Sequence, residues 1–470
     1  MKIIHIFTEI APLAGKNRHS EFNKQFMLSQ NNNANIIVMP WYNNLKINEQ
    51  PQKKFTDKNN KFEVFKAKYP ITDNTFYLIK PYQKHYPFFN HELNIHTCLI
   101  HFYESVISFI ESTFDQTIVH LVDFLSAPIS YLIKSKELQN RFKTILSLKN
   151  INHDLNFYPE HYAQFSTTNT LLLNDVSRNG AYTAIKCGIL FADLIVFKSK
   201  YYAEELQSPE NDNEYQKLLA NRSDSVYGIM NGVQYSTWNP QNDTEIQYQY
   251  DTDNLELKLK NKTFLQKKLK LTESDKIPMF FYGTRLDVPH GIEIIIDSLA
   301  EIADLPLHLV IKGTGDEELI LKLENEISNY KNIRLIKGFN LDLIHEILAA
   351  SEFILLPSIS EADGVSFLYA LSYGLVPIAH KVGGHRDAVV DISTSVENPN
   401  LPVQMNGFFF SSYYSTSLIQ IMEEAISVYK DRKLYLKYQT NCMTADWSWK
   451  KCIKQYQVLY QKLYNKQEIN

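Results

Sequence analysis

The stretch LDLIHEILAASEFILLPSISEADG, residues 341–364, reads as one complete unit of an α/β repeat. Leu341, Ile344 and Leu348, with Leu343 and Ile347 beside them, recur at i, i+3 and i+4, the spacing that puts apolar side chains on one face of a helix. Phe353 to Leu356 is a short unbroken apolar run, which suits a strand covered on both faces. Pro357 to Gly364 is then a polar loop leading into a new helix from Val365. Working outward, the same kind of run recurs at Met279–Tyr282, Leu307–Ile311, Ile333–Ile336 and Val376–Ala379, with helical patterns between. The alternation predicts an α/β fold with a doubly wound parallel sheet.

The first half carries a similar rhythm. Lys2–Phe7, Ile36–Met39, Ile118–Val122, Thr144–Leu148 and Leu194–Phe197 are short, rich in β-branched residues and separated by longer mixed segments. With 470 residues and 54.7 kDa the chain is too long for one ordinary core. The polar stretch Gln241 to Lys262 is the expected boundary, which divides the chain into a Rossmann-like domain 1–240, a second Rossmann-like domain 241–445, and helical residues 446–470 that pack back on the first domain.

Composition removes several classes of function. Lys+Arg 48 against Asp+Glu 52 leaves a formal charge of −4, with no basic excess to hold a nucleic acid. Cys98, Cys187, Cys442 and Cys452 form no CxxC pair, so neither a zinc knuckle nor a disulfide framework is expected. Glu9 follows the opening apolar run too soon for a signal peptide, and no apolar stretch reaches 18 residues. The expectation is a cytoplasmic protein. No GxGxxG follows a predicted strand, which removes the support for a nicotinamide-dependent oxidoreductase.

Ligands of open α/β sheets bind beyond the carboxyl ends of the strands, so the residues just after each run are the candidates. Gly283-Thr284-Arg285 offers a guanidinium for a phosphate, Gly313-Thr314-Gly315 a tight turn, Glu361 a carboxylate for sugar hydroxyls, and Gly383-Gly384 bare amides. In the first half His120 and Asp123 end one strand, Lys149-Asn150 another, and Asn231-Gly232 forms a turn. Taken singly, each of these also fits a purely structural role as cap, turn or surface group.

As an ordered set, the segments resemble the glycogen and bacterial starch synthases, retaining glucosyltransferases of the GT-B fold. Thr8-Glu9-Ile10-Ala11-Pro12-Leu13 is similar to that family's opening strand and loop, and Ile185-Lys186-Cys187-Gly188-Ile189 with Ala192-Asp193 to its KxGIxxAD segment. Tyr227 to Val233 and Trp238-Asn239-Pro240 resemble its GIxNGI and WNP elements. Pro357-Ser358, Glu361, Gly364, Tyr369-Ala370-Leu371, Tyr373-Gly374, Pro377, Gly383-Gly384 and Asp387 follow its donor signature in order and spacing. Asn441-Cys442-Met443, Trp447-Ser448-Trp449 and Tyr456 resemble its C-terminal helices.

The resemblance implies transfer of glucose from ADP-glucose or UDP-glucose to an α-1,4-glucan, with retained configuration and no cofactor or metal. It implies catalytic roles for Glu361, Arg285 and Asp123, donor contacts from Gly283, Arg285, His290, Gly313, Gly315, Gly364, Gly383, Gly384, Lys16 and Arg18, and a sugar or acceptor side formed by Asp123, Lys149, Asn150 and Asn231. The chain also departs from the pattern. Gly15-Lys16-Asn17-Arg18-His19 stands where the family has lysine followed by Thr-Gly-Gly-Leu, and His290 where it has a lysine. Lys149 replaces its histidine, Gln234 an aspartate and Ile359 an arginine. Two readings stay open: an active transferase with an altered phosphate grip or a different donor or acceptor, and a catalytically weakened paralogue that keeps the cleft as a glucan-binding or regulatory module.

Overall fold

Ile3–Ile6 is apolar but for His5 and buried throughout, and this short segment is β1, a central strand of a nine-stranded sheet. The computed structural model describes residues 2–11, 18–30, 35–42, 52–56, 62–68, 75–81, 95–152, 154–158, 177–178, 181–211, 213–338, 341–397 and 404–468. It forms two units, Met1–Ile229 with Trp449–Asn470, and Met230–Ser448.

In the first unit β1 is followed by β2 (Asn35–Pro40), β3 (Gln52–Thr56), β4 (Phe62–Lys68), β5 (Thr75–Pro81), β6 (Thr117–Val122) and β7 (Phe142–Leu148). A small antiparallel sheet of β8 (Asn156–Phe157), β9 (Ser177–Arg178) and β10 (Ala181–Thr183) precedes β11 (Leu194–Phe197) and β12 (Val226–Gly228). The order across the large sheet is β12-β11-β7-β6-β1-β2-β5-β4-β3, parallel except where β4 joins β5 and β3. The chain leaves β1 on one side toward β2 and β5 and returns on the other as β6. That reversal places a topological switch point between β1 and β6, with Asp123 at the carboxyl end of β6.

The strands expected at β1, β2, β6, β7 and β11 are present, while β3, β4, β5 and β12 went unread in the sequence. β4 escaped because its buried Phe62 and Val64 alternate with the half-buried Glu63 and Phe65, the pattern of an antiparallel strand and not the continuous run of a central parallel one.

The second unit holds β13 (Met279–Gly283), β14 (His308–Gly313), β15 (Ile333–Lys337), β16 (Phe353–Leu356), β17 (Val376–His380) and β18 (Phe408–Phe410) in the order β15-β14-β13-β16-β17-β18. Every pairing is parallel. The predicted helix forms as Leu341–Ala350, and its switch point falls between β13 and β16.

Two features of the units differ from the sequence reading. The first unit ends at Ile229 rather than near Gln241, and the polar segment taken for a boundary lies inside the second unit. Its helix Glu256–Lys268 buries Lys258 and Lys262. Lys262 Nζ donates to Glu352 Oε1 at 3.0 Å and to Tyr429 Oη at 3.1 Å, and Glu352 Oε2 accepts the Met279 amide at 2.7 Å. Lys258 Nζ donates to the Leu348 and Ala349 carbonyls at 3.0 and 3.1 Å, completing the carboxyl end of the helix Leu341–Ala350. Charged residues with such partners can be buried, so polarity alone did not mark a linker.

Upstream, Trp238 stacks between His345 and Tyr369 at centroid distances of 4.3 and 4.4 Å, and Asp243 accepts from His345 Nδ1 at 2.7 Å. These contacts draw residues 238–243 into the second core.

The final helix, Trp449–Glu468, belongs to the first unit. Trp449 packs on Phe22 at 5.1 Å, whereas Trp447 lies in the core of the second unit. Tyr460 Oη meets His120 Nδ1 at 2.8 Å, and Ser147 Oγ joins His120 Nε2 at 2.7 Å to Tyr456 Oη at 3.0 Å. Lys198 Nζ reaches Tyr456 Oη at 3.2 Å and lies over the Phe22 ring. This buried polar chain fixes the helix to the ends of β6, β7 and β11. No helix among the described residues is long and apolar enough to cross a membrane.

Candidate functional site

The switch point of the second unit gathers most of the predicted residues. Gly283 ends β13 and Arg285 follows it, while the loop after β16 carries Glu361 and Gly364, and the turn after β17 carries Gly383 and Gly384. The loops are tied together by main-chain bonds: Ile359 N donates to Pro289 O at 3.0 Å, and Gly384 N to Glu361 O at 2.8 Å. A Cβ at position 383 would stand 1.9 Å from the Glu361 carbonyl oxygen, and φ there is +40°, so this crossing demands glycine. Gly364, at φ +60°, starts the helix Val365–Ser372.

Glu361 turns its carboxylate inward on its own loop. Oε1 accepts the amides of Asp363 at 3.1 Å and Gly364 at 3.0 Å. The side chain remains partly exposed, and Oε2 faces the buried ring of His385 at 3.9 Å. His385 was not singled out in the sequence; a histidine after a Gly-Gly turn carries no signal until the fold buries it against a carboxylate.

Arg285 is 68% exposed, with Nε 3.1 Å from Asp287 Oδ2. Asp287 caps the short turn Val288–His290 and also pairs with His290 Nδ1. The His290 carbonyl accepts from Tyr282 Oη at 3.0 Å. One carboxylate therefore holds two of the side chains expected to bind phosphate on a single turn, an ordering that composition could not reveal. Gly313 ends β14, and Gly315 bridges to Leu286, so these glycines let the loop after β14 lie against the loop that carries Arg285.

In the first unit, Asp123 takes φ +73° and ψ 162°, an uncommon conformation for a residue with a side chain. Its Oδ1 accepts the Phe124 amide at 2.7 Å, and its own amide donates to Ser147 O at 2.9 Å. Lys149 and Asn150 follow β7, Lys149 exposed and Asn150 accepting from the Asn152 amide at 3.1 Å. His120 lies wholly inside the polar chain to the final helix. Burial pulls it and His5 below the usual imidazole range, His5 to about 4, so both rings are neutral near pH 7.

Asn231 is buried and falls in the second unit. Lys16 lies outside the described residues, and Arg18 begins the helix Arg18–Ser29.

Two Rossmann-like units in succession, each with its candidates at a switch point, define a glycosyltransferase of the GT-B fold. The catalytic domain of starch synthase IV from Arabidopsis thaliana, solved with ADP and acarbose, shares that fold with a TM-score of 0.80 and 22% identity, over 98% of this chain and 99% of the other. The family model "Starch synthase catalytic domain" matches residues 27–221, and "Glycosyl transferases group 1" matches residues 262–441. The glycogen synthase of Thermosipho melanesiensis is 33% identical over 359 residues, 74% of this chain and 73% of the relative. That of Fervidobacterium nodosum is 30% identical over 471 residues, 94% of each chain. The chain belongs to the glycogen synthase family of glycosyltransferases.

Proposed function

We propose that the protein transfers glucose from ADP-glucose or UDP-glucose to the end of an α-1,4-glucan with retention of configuration, as a cytoplasmic enzyme. The observation that carries this reading is the Glu361 loop, held by the Asp363 and Gly364 amides and crossed by Gly383 and Gly384 at the switch point of the second unit. In this reading Glu361 accepts hydroxyls of the donor sugar and the Gly383-Gly384 turn offers amides to it. Arg285 and His290, positioned by Asp287, meet the diphosphate as negative charge develops on its leaving oxygen. Charge stabilisation then rests on these side chains and not on a resident metal or cofactor. The relatives named above carry the glycogen synthase name, and the plant neighbour was solved with ADP and acarbose, a nucleotide and an oligosaccharide, which supports both halves of the assignment. Asp123, Lys149, Asn150 and Asn231 are assigned to the sugar and acceptor side, with Lys16 and Arg18 as further donor contacts.

The test is release of nucleoside diphosphate from ADP-glucose or UDP-glucose in the presence of a maltooligosaccharide. Arg285→Ala and Glu361→Ala are each expected to slow that release by about a hundredfold or more, the usual loss when one donor or cation facing a developing anion is removed. A second reading, a glucan-binding module without turnover, is favoured by the departures at the phosphate grip, Gly15-Lys16-Asn17-Arg18-His19 in place of the family's Lys-Thr-Gly-Gly-Leu and His290 in place of its lysine. Retained maltooligosaccharide binding with no nucleoside diphosphate released from either donor supports that reading.

A further inference from the structure

His385 is completely buried in the first turn of the helix Gly383–Ala388. Its Nδ1 lies 2.9 Å from the His380 carbonyl oxygen, which can only accept, so Nδ1 carries a proton. In a neutral ring Nε2 is then a bare lone pair. That atom makes no hydrogen bond, and the group in front of it is Glu361 Oε2 at 3.9 Å. Two acceptor atoms thus face each other inside the protein, an arrangement that costs free energy unless a proton enters between them. The edge-on Phe367 ring at 5.5 Å adds no polar partner. The titratable and charged groups around the ring are Glu361 from the loop after β16, His380 from the end of β17, and Arg386 and Asp387 beside it on its own helix.

We infer that His385 is a positioning residue of the donor site: when Nε2 takes up a proton it donates to Glu361 Oε2 and fixes the carboxylate for the hydroxyls of the donor sugar. Nε2 is too deeply buried for the sugar to touch, so the ring acts through Glu361 alone. Oε1 is already held by two amides, and the second anchor completes the orientation of the carboxylate while leaving the remaining Oε2 lone pair for a hydroxyl. Burial is the larger influence and pulls the titration of the ring below the usual imidazole range, while the Glu361 carboxylate opposes that pull. Affinity for the donor is therefore highest on the acid side of that titration. The inference rests on the role proposed above for Glu361.

Two measurements test it. The ring resonances of His385 are followed by NMR against pH in the wild-type protein and in Glu361→Gln. Removing the carboxylate is expected to lower the midpoint by about one to three pH units, the range for an opposite charge at this distance. An unmoved midpoint overturns the coupling, and this readout holds whether or not the protein turns over any donor. If nucleoside diphosphate is released, KM for the donor is followed against pH as well. Wild type is expected to lose affinity as pH rises through the His385 midpoint. His385→Leu is expected to hold KM, at every pH, about tenfold above the acid-side wild-type value, and His385→Gln, whose amide places a permanent donor near Nε2, a low KM without the pH dependence. A pH-dependent KM that persists in His385→Leu refutes the inference. Failure of every sugar nucleotide to react would refute the transferase reading, and the NMR result would still decide the His385–Glu361 coupling.

Discussion

Gly383 and Gly384 are neighbours in the chain, yet replacing each by alanine should have very different consequences. A Cβ at 383 would lie 1.9 Å from the Glu361 carbonyl oxygen, far inside the 3.4 Å at which ordinary contact begins, and the backbone stands at φ +40°. The obstacle is main chain, so no side chain can swing away. Holding a residue with a Cβ in the left-handed region costs about 1–2 kcal/mol. Moving the carbonyl aside breaks its 2.8 Å bond from the Gly384 amide, worth about another 1 kcal/mol. Gly383→Ala is therefore expected to destabilise the second unit by about 2–3 kcal/mol. A shift of about 1 Å in the Glu361 loop would cost about a hundredfold in turnover. At 384 the nearest atom to a Cβ is Gly364 N at 3.4 Å, ordinary contact, so Gly384→Ala should change stability by less than about 1 kcal/mol. The assay is urea-induced unfolding followed by tryptophan fluorescence, with nucleoside diphosphate release measured on the same preparations. Equal destabilisation by the two substitutions, or a neutral Gly383→Ala, would refute the crossing-loop account of this site.

Two further outcomes follow from the buried charges of the second unit. Lys262→Met should cost about 3–5 kcal/mol by leaving Glu352 buried without its cation, and Lys262→Met combined with Glu352→Leu should recover part of that loss, as measured by urea unfolding. Burial holds Lys258 down to about 7 from 10.5, so between those values the unfolded chain retains a proton that the folded one has released. Stability should accordingly rise with pH across that window by up to about 1.4 kcal/mol per unit. Lys258→Met should flatten that rise in thermal unfolding scans at fixed pH values.

Legibility in the sequence varied with physical cause. Leu194–Phe197 and Phe353–Leu356 were readable to the residue because central parallel strands must be apolar on both faces. β5 and β18 were not: β5 carries Lys80 and Pro81 at its end, and β18 is only three residues long. Glu361, Gly364, Gly383 and Gly384 stood out through order and spacing, and the fold brings them to one end of one sheet. Asp287 and His385 were silent, since an acid or a histidine near a turn is commonplace until its partner is known. Lys258 and Lys262 counted only toward the polarity of the expected boundary, because the oxygens that make their burial tolerable lie about ninety residues away in the chain.

The order of apolar runs and punctuating glycines, by itself, determined two doubly wound halves and the loops from which a ligand would be held, because strand burial and turn geometry are local demands. Only the tertiary structure decided how the charges are shared: which carboxylate holds Arg285 and His290, which faces the His385 ring, and which compensates Lys262. Electrostatic partners are chosen by distance in space, and the chain leaves that distance open until the sheets have formed.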